Sequence, residues 1–180
     1  MLLVGMLLKR ATKGTLPLFD FAQSVDDELS SSALPKEVPT GPLARPALAA
    51  AYLKRMAVYT LKVAAEVFGP ELEKQQLMLA NVADIVMDAF AVDSMVARTR
   101  QVAATDPVRI AMTRQFTNVA CARSLEAAKR ALCASAKGEA LTTHLKKVQL
   151  LALYDPFNPV ELVEVIVEAT ERGGGYTLGS

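Results

Sequence analysis

A short row of polar side chains and a single histidine are the residues of this sequence that could do chemistry. Asn81, Asp84 and Asp88 recur at helical spacing, so they share one face of a helix, where carboxylates could bind a metal ion or transfer protons. Metal sites in helical bundles pair two Glu-x-x-His motifs on facing helices, and His144 is the only histidine. We therefore interpret the row as a polar strip that pairs with Lys or Arg of a neighbouring helix or contacts water. His144 is expected to be a partly exposed surface residue.

The sequence also lacks the turns that present nucleophiles or bind phosphates. A Ser or Cys activated by His144 would need a strained glycine-rich turn, and none is visible. Residues 173–175, Gly-Gly-Gly, are not a phosphate-binding loop. Such a loop precedes a helix whose N-terminus binds the anion, whereas these glycines follow a helix. We predict no catalytic residue, no metal ligand and no cofactor-binding residue in this chain.

The two cysteines indicate a reducing compartment. Cys121 and Cys133 fall on one predicted helix, roughly 18 Å apart at ~1.5 Å per residue, which is too far for a disulfide. We interpret both as small buried apolar residues.

The composition predicts a soluble chain built from helices. Hydrophobic residues make up 52% of the 180 residues and aromatic residues only 6%, which is typical of helices packed through small side chains. The 20 basic and 19 acidic residues are mixed along the chain, so no basic block is available for nucleic acid. No run approaches the ~20 apolar residues that cross a bilayer, and the basic residues near the start follow the apolar run, unlike those of a signal peptide. We expect a cytoplasmic protein.

Helical periodicity predicts an all-α fold, an up-and-down bundle similar to a four-helix bundle. Gly69-Pro70 and Asp106-Pro107 separate three long helices, and residues 158–161 form a capping signature for the last helix. The third predicted helix is apolar on most sides, so we expect it to lie at the centre and to be covered on most sides. The predicted helices span residues 1–13, 46–68, 71–104, 107–137, 139–153 and 159–172.

Several stretches resemble acyl-CoA dehydrogenases. Residues 73–98 carry Gln75-Gln76, then Ala83-Asp84, then an apolar run that ends at Ala97-Arg98. This pattern is similar to a helix in the C-terminal extension of the very-long-chain type. Residues 1–11, Met-Leu-Leu-Val-Gly-Met-Leu-Leu-Lys-Arg-Ala, look like the segment after the family's Glu-Gly-Thr-Asn-Glu-Ile-Asn-Arg motif. The ending, Glu171-Arg172-Gly173-Gly174-Gly175-Tyr176, is similar to the closing Glu-Arg-Gly-Gly of such chains.

The resemblance implies a domain organisation and a parent enzyme. Residues 1–13 would be the tail of a helix from a missing upstream dehydrogenase domain, residues 14–45 a Pro/Ser-rich linker, and residues 46–180 the helical bundle domain. The parent enzymes use FAD and oxidise the α,β bond of a fatty acyl-CoA. Their catalytic glutamate, in many members that of the Glu-Gly-Thr motif, would fall before Met1. No catalytic or FAD-binding residue of the family therefore carries over onto this chain.

The resemblance also implies partners. The family's C-terminal extension packs on the dehydrogenase body and takes the place of a second dimer in the shorter tetrameric relatives. We therefore expect the dehydrogenase domain of the same chain as a partner, and a homo-oligomer such as a dimer. The linker has been associated with membrane attachment, but residues 14–45 lack the Lys/Arg-rich pattern of an interfacial helix, which argues against it. The leucines of residues 1–13 are expected to be mobile or to pack on a second copy of the chain.

Two other functions fit the residues. The chain could be a stand-alone helical adaptor that binds protein through its apolar linker or its first helix. It could instead be a small-ligand binder that holds an acyl chain between alanine-lined helices.

Overall fold

The computed structural model describes residues 2–31, 40–103, 105–152 and 154–175, with the side chains of Leu2 and Ala103 left out. Several positions used in the sequence predictions lie outside the described residues: Met1, Ser32, Pro35, Pro39, Ala104, Leu153 and Tyr176.

The described residues fold into helices, which confirms the predicted all-α class. In order, the described elements are α1 (Leu2–Thr12), α2 (Leu18–Ser30), α3 (Ala44–Phe68), a 3-10 helix (Gly69–Lys74), α4 (Gln76–Ala103), α5 (Pro107–Ser135), α6 (Gly138–Leu151) and α7 (Pro159–Arg172).

Three long helices, α3, α4 and α5, pack against one another and form the core. The largest buried side chains come from all three, for example Met56 and Tyr59 of α3, Ile85 of α4 and Leu132 of α5. α6 lies on α3 and α5, and α7 lies on α5. The predicted core of three consecutive long helices, closed by the later helices, is confirmed.

The helix starts follow the predicted local chemistry. Asp106 caps α5, because its carboxylate accepts a hydrogen bond from the backbone N–H of Val108 at 2.9 Å. Pro107 lies in the first turn of α5, where a backbone N–H would form no hydrogen bond within the helix, so its missing N–H costs nothing. Asn158 caps α7 in the same way through Val160 at 3.1 Å. These caps fix where the last helices begin.

A helix lies within the segment that was predicted to be a linker. α2 was missed because the flanking prolines and the serine run suggested a loop. Its Ala22, Val25 and Leu29 share one face and are buried against α3 and α6, and Pro17 directly precedes the helix, where proline is tolerated. The division of the chain at residues 13/14 and 45/46 stays a prediction.

α1 packs partly within its own chain. Val4 is fully buried beside Leu61 and Val82, and Leu8 packs on the same cluster. The expectation that the leucines of residues 1–13 are mobile or pack on a second copy of the chain is therefore wrong for Leu8, which packs within its own chain. The opposite face of α1, with Leu3 and Met6, is exposed. Among the described helices, none is both long and apolar enough to span a membrane.

Candidate functional site

Asp88, the last residue of the polar row on α4, lies in a buried cluster between α4 and α5. The Nε of Arg123 donates a hydrogen bond to Asp88 Oδ2 at 3.0 Å, and its Nη2 donates to the other carboxylate oxygen. The Ser124 hydroxyl donates to Oδ2 at 3.0 Å. These hydrogen bonds, with the negative charge of Asp88, raise the pKa of Arg123. Asp88 is thus held as the acceptor of an interhelical ion pair, as the polar-strip interpretation predicts.

The other two residues of the row form no hydrogen bond with Arg123 or Ser124, although the charge of Asp84 adds to the raised pKa of Arg123. Asp84 is exposed, and the Asn81 amide donates to the backbone carbonyl of Leu77 in its own helix at 2.8 Å. Within the described ranges, no group of three or more His, Cys, Asp or Glu side chains could hold a metal ion. The row therefore shows one structural ion pair and no converging set of ligands.

His144 is half-buried, as predicted, and contacts Tyr59 across the interface of α3 and α6. The Tyr59 hydroxyl and Nδ1 of His144 are 2.7 Å apart. Burial, reinforced by the positive charge of Lys147, lowers the pKa of His144 below its usual value. Burial, with the charges of Asp26 and Glu66, raises the pKa of Tyr59. Both groups are thus neutral at physiological pH, and they join two helices.

Asp26 connects α2 to two other helices. Its Oδ1 accepts from Lys147 of α6 at 2.5 Å and its Oδ2 accepts from Lys62 of α3 at 3.1 Å. Burial disfavours the carboxylate, but the hydrogen bonds and charges of Lys147 and Lys62 outweigh it and lower the pKa of Asp26. Arg55 of α3 adds a second link, because its Nε donates to Glu28 at 2.9 Å. These pairs hold α2 on the bundle.

The loop before α7 is clamped on the surface of α5. The amide of Asn118 donates to the carbonyl of Phe157 at 2.9 Å and accepts from the N–H of Phe157 at 3.2 Å. The guanidinium of Arg114 lies 4.4 Å from the centre of the Phe157 ring, a cation–π distance. Arg45 of α3 pairs with Asp155 at 3.2 Å. The start of α7 is therefore fixed by side chains of two core helices.

The cavity beneath this loop is too small for an acyl chain. It measures about 50 Å³ and is lined by Tyr52, Cys121 and Tyr154, among others, whereas ligand pockets measure roughly 300–1,000 Å³. Burial raises the pKa of the Cys121 thiol to about 12, so it is not a nucleophile. Cys133 is exposed, and its predicted burial is wrong: none of the described helices covers the α5 face that carries it.

An open groove of about 330 Å³ lies between α1, α2 and α3. Its walls are largely apolar and include Leu8, Leu18, Phe19, Ala22 and Leu61, with Lys62 and Glu66 at the side. Phe19 is more than half exposed. The apolar walls of this groove suit an amphipathic helix of another polypeptide.

The outer side of α4 exposes three large apolar side chains. Leu77, Met87 and Phe90 are all more than half exposed, although the sequence predicts that this helix is covered on most sides. α3 and α5 cover two sides of α4 and α1 covers one end. The prediction is therefore wrong for the chain on its own, and the uncovered side mixes these apolar residues with the exposed Asp84 and Arg98.

Sequence reasoning missed the residues that complete these clusters. Arg123, Asn118 and Arg114 belong to α5 and act on other elements. The sequence does show that these three side chains are polar, on a helix whose buried residues are mostly Ala and Thr. It does not show which residues of the other elements they contact.

Comparison with known proteins agrees with this helical architecture. The family model described as "Acyl-CoA dehydrogenase, C-terminal domain" matches residues 52–150. A probable acyl-CoA dehydrogenase of Bacillus subtilis (strain 168) is 33% identical over 159 residues, which make up 86% of this chain and 27% of that protein. The crystal structure of an acyl-CoA dehydrogenase complexed with FAD from Bacillus anthracis superposes with a TM-score of 0.91 and 30% identity, over 97% of this chain and 30% of that chain. The chain thus spans less than a third of the length of either relative, and it belongs to the acyl-CoA dehydrogenase C-terminal domain family.

Proposed function

We propose that this chain is the C-terminal structural and assembly domain of an FAD-dependent acyl-CoA dehydrogenase of the very-long-chain type. The parent enzyme would oxidise the α,β bond of a fatty acyl-CoA. The domain itself carries no catalytic residue and packs on the dehydrogenase domain of the same chain. Its cytoplasmic location stays a prediction.

The observation that carries the proposal is the unequal coverage of the FAD-bound relative. The match takes in 97% of this chain but only 30% of that protein. A domain that occupies so small a share of an enzyme, and whose polar clusters join one element of the fold to another, fits a scaffold better than an active site. The very-long-chain type rests on the resemblance of residues 73–98 to that type's C-terminal extension.

We assign FAD to the dehydrogenase domain, because the FAD-bound relative extends well beyond the 30% of its length that matches this chain. The pyrophosphate of such a cofactor binds best at a helix N-terminus that is free of negative charge. Four of the described helix starts are unfavourable by that measure: the first turns of α2 and α6 carry Asp20 and Glu139, and α5 and α7 are capped by Asp106 and Asn158.

The outer side of α4, where large apolar residues are exposed among polar ones, is where we place the dehydrogenase domain. A helix that is apolar on most sides is stable when it is covered on most sides, and Leu77, Met87 and Phe90 are uncovered. In the FAD-bound relative, 70% of the chain lies outside the match. A dehydrogenase domain of that size would be large enough to cover this side of α4.

The proposal is tested on the polypeptide purified from its native source through an affinity tag placed after residue 180. We expect the purified protein to show the visible absorbance of FAD and to lose it when an acyl-CoA is added without an electron acceptor. Comparing short-, medium- and very-long-chain acyl-CoAs tests the subtype. A preparation without flavin, or with flavin that no acyl-CoA reduces, would refute the proposal.

A stand-alone protein-interaction adaptor is the second candidate. The apolar groove between α1, α2 and α3 favours it, because grooves of this kind hold amphipathic helices of partner proteins. The same purification distinguishes the dehydrogenase domain from the adaptor. If the chain is an adaptor, the purified protein contains no FAD. The Phe19→Ser variant should then lose a bound partner, whereas Leu77→Ser on α4 should retain it.

A further inference from the structure

The last helix is covered on one side only. α7 lies on α5, and Leu162 is its buried residue. Ile166 and Ala169 are half-buried and follow Leu162 at spacings of four and three residues, so they lie on the same side of the helix. A helix of 14 residues that buries so little gains little stability from packing, which favours a further partner on its open side.

α7 carries a second apolar row beside the covered side. Val160, Val163 and Val167 are 62%, 45% and 45% exposed, and their spacing of three and four residues is that of positions a and d in a coiled-coil heptad. Exposed β-branched residues are unfavourable both for helix propensity and for contact with water. We call this row the valine seam. Such a row is what one helix presents to a second helix packed along it.

Acidic residues flank the valine seam. Glu164 and Glu171 are exposed and occupy the two e positions of the same heptad register, on the side away from α5. Among the described residues, Arg172 pairs with Glu168, whereas Glu164 and Glu171 form no ion pair within 4.0 Å. Charges at e positions pair with opposite charges of the partner helix and so select it. The pattern therefore specifies a helix with an apolar seam and with Lys or Arg beside that seam.

The charge of α7 argues against three other occupants. The helix contains four glutamates and one arginine, so like charges oppose the pairing of two α7 helices. The same excess of negative charge repels nucleic acid and anionic membranes. A basic polypeptide is the occupant that the charges favour.

α7 lies on a different side of the bundle from α4. The α5 residues Thr113 and Arg123 form hydrogen bonds with Thr99 and Asp88 of α4, and Asn118 bonds the loop before α7. Thr113 and Arg123 each lie five residues from Asn118, about 140° around the helix in opposite directions, so α7 lies across α5 from α4. A dehydrogenase domain on the outer side of α4 leaves the valine seam free, and its occupant is then a separate polypeptide.

We propose that the valine seam is a docking site for a basic amphipathic helix of a separate protein. The valines pack between the apolar residues of the partner helix, and Glu164 and Glu171 pair with its Lys or Arg side chains. The choice of a separate protein rests on the proposed placement of the dehydrogenase domain, whereas the chemistry of the seam does not.

The test uses a synthetic peptide of three heptads with leucine at a and d and lysine at e and g, together with a counterpart that carries glutamate instead of lysine. Fluorescence anisotropy of each labelled peptide, titrated with the 180-residue chain, gives the dissociation constant at low and high salt. We expect the lysine peptide to bind at least about tenfold more tightly than the glutamate peptide, and high salt to weaken its binding.

Substitutions locate the binding on the seam. Val163→Ser should weaken binding of the lysine peptide about tenfold, because it removes a central apolar contact. Val165→Ser is the matched control: it lies two positions on, about 200° around the helix and outside the seam, and should leave the dissociation constant unchanged. Thermal melting of each variant checks that the fold is intact.

Charge reversal gives the sharper result. Glu164→Lys with Glu171→Lys should reverse the preference, so that the glutamate peptide binds more tightly than the lysine peptide. The matched control, Asp27→Lys with Glu73→Lys, makes the same change in net charge at exposed positions outside α7 and should leave the preference as it was. The native polypeptide should bind the lysine peptide as tightly as the 180-residue chain does.

Three results would overturn the inference. One is that neither peptide binds, and another is that test and control substitutions have equal effects. The third is a native polypeptide that fails to bind the lysine peptide although the 180-residue chain binds it, since its own dehydrogenase domain would then cover the seam. None of these results depends on reduction of a flavin by acyl-CoA, so this inference and the proposed function fail separately.

Discussion

Arg123 of α5 donates a hydrogen bond from its Nε to Oδ2 of Asp88 on α4 at 3.0 Å, and so joins the two longest helices of the bundle. Asp88 is buried while Arg123 is half-exposed. The two donors to Asp88 therefore differ in what they lose when its carboxylate is removed. Arg123 can form hydrogen bonds with water instead, whereas the buried hydroxyl of Ser124 cannot reach water.

Asp88→Ala should destabilise the fold. We expect the free energy of unfolding to fall by about 2 kcal/mol, because the Ser124 hydroxyl loses its acceptor and a small cavity is left. Asp84→Ala, on an exposed position of the same helix, should change it by less than about 0.5 kcal/mol. Urea unfolding followed by circular dichroism measures both. Equal effects would mean that the ion pair contributes nothing.

Asn118→Ala should release the loop before α7. The amide makes two hydrogen bonds with the backbone of Phe157, and we expect their loss to cost about 1–2 kcal/mol. Limited proteolysis should then cut within residues 154–158 faster than in the unaltered chain. Asn81→Ala is the control, since that amide bonds only its own helix and its loss should leave the cleavage rate unchanged. Cleavage as slow as in the unaltered chain would contradict the clamp.

His144 should make the fold less stable in mild acid. Its pKa lies below the usual value of 6.5 in the folded chain, mainly through burial and then through Lys147. The unfolded chain therefore binds the proton more readily, and stability falls as the pH drops below 6.5 toward the folded-state pKa. Asp26 and Glu66 partly oppose the shift. His144→Gln should abolish the decline between about pH 7 and pH 5; a decline that persists would assign it to other groups.

Asp26→Asn should loosen α2. The change removes the charge that Lys62 and Lys147 share, and we expect a loss of about 1 kcal/mol, since the pairs are partly exposed. Faster hydrogen exchange within residues 18–30 is the specific sign. Asp27→Asn, on an exposed position of the same helix, should not produce it. Because the folded-state pKa of Asp26 is lowered from 3.8, its contribution is present above that pH and is lost as the pH falls through the folded value.

The helices could be predicted wherever their ends are set by local chemistry. Gly69-Pro70, Asp106-Pro107 and residues 158–161 mark breaks and caps that involve near neighbours only, and each falls within a few residues of an observed helix end. α2 was missed because it is stabilised by contacts with residues that are far away in the sequence. Asp26 is held by Lys147, which is 121 positions away. The local signal, apolar residues at positions 18, 22, 25 and 29, was outweighed by the surrounding prolines and serines.

The polar row illustrates the same limit for the site. Helical spacing placed Asn81, Asp84 and Asp88 on one face, but the identity of the buried member depends on the register of α5 against α4. That register brings Arg123, 35 positions away, onto Asp88 and leaves Asp84 in solvent. Which side of α4 is left exposed depends in the same way on how helices that are distant in the sequence pack against it.

The central claim, that this chain is the scaffold domain of a larger flavoenzyme, is tested most directly by intact mass spectrometry of the native polypeptide that contains it. We expect a mass several-fold above 19.3 kDa, with FAD bound in native conditions. A native product of 19.3 kDa without flavin, starting at Met1, would contradict the claim and leave the adaptor as the function to pursue.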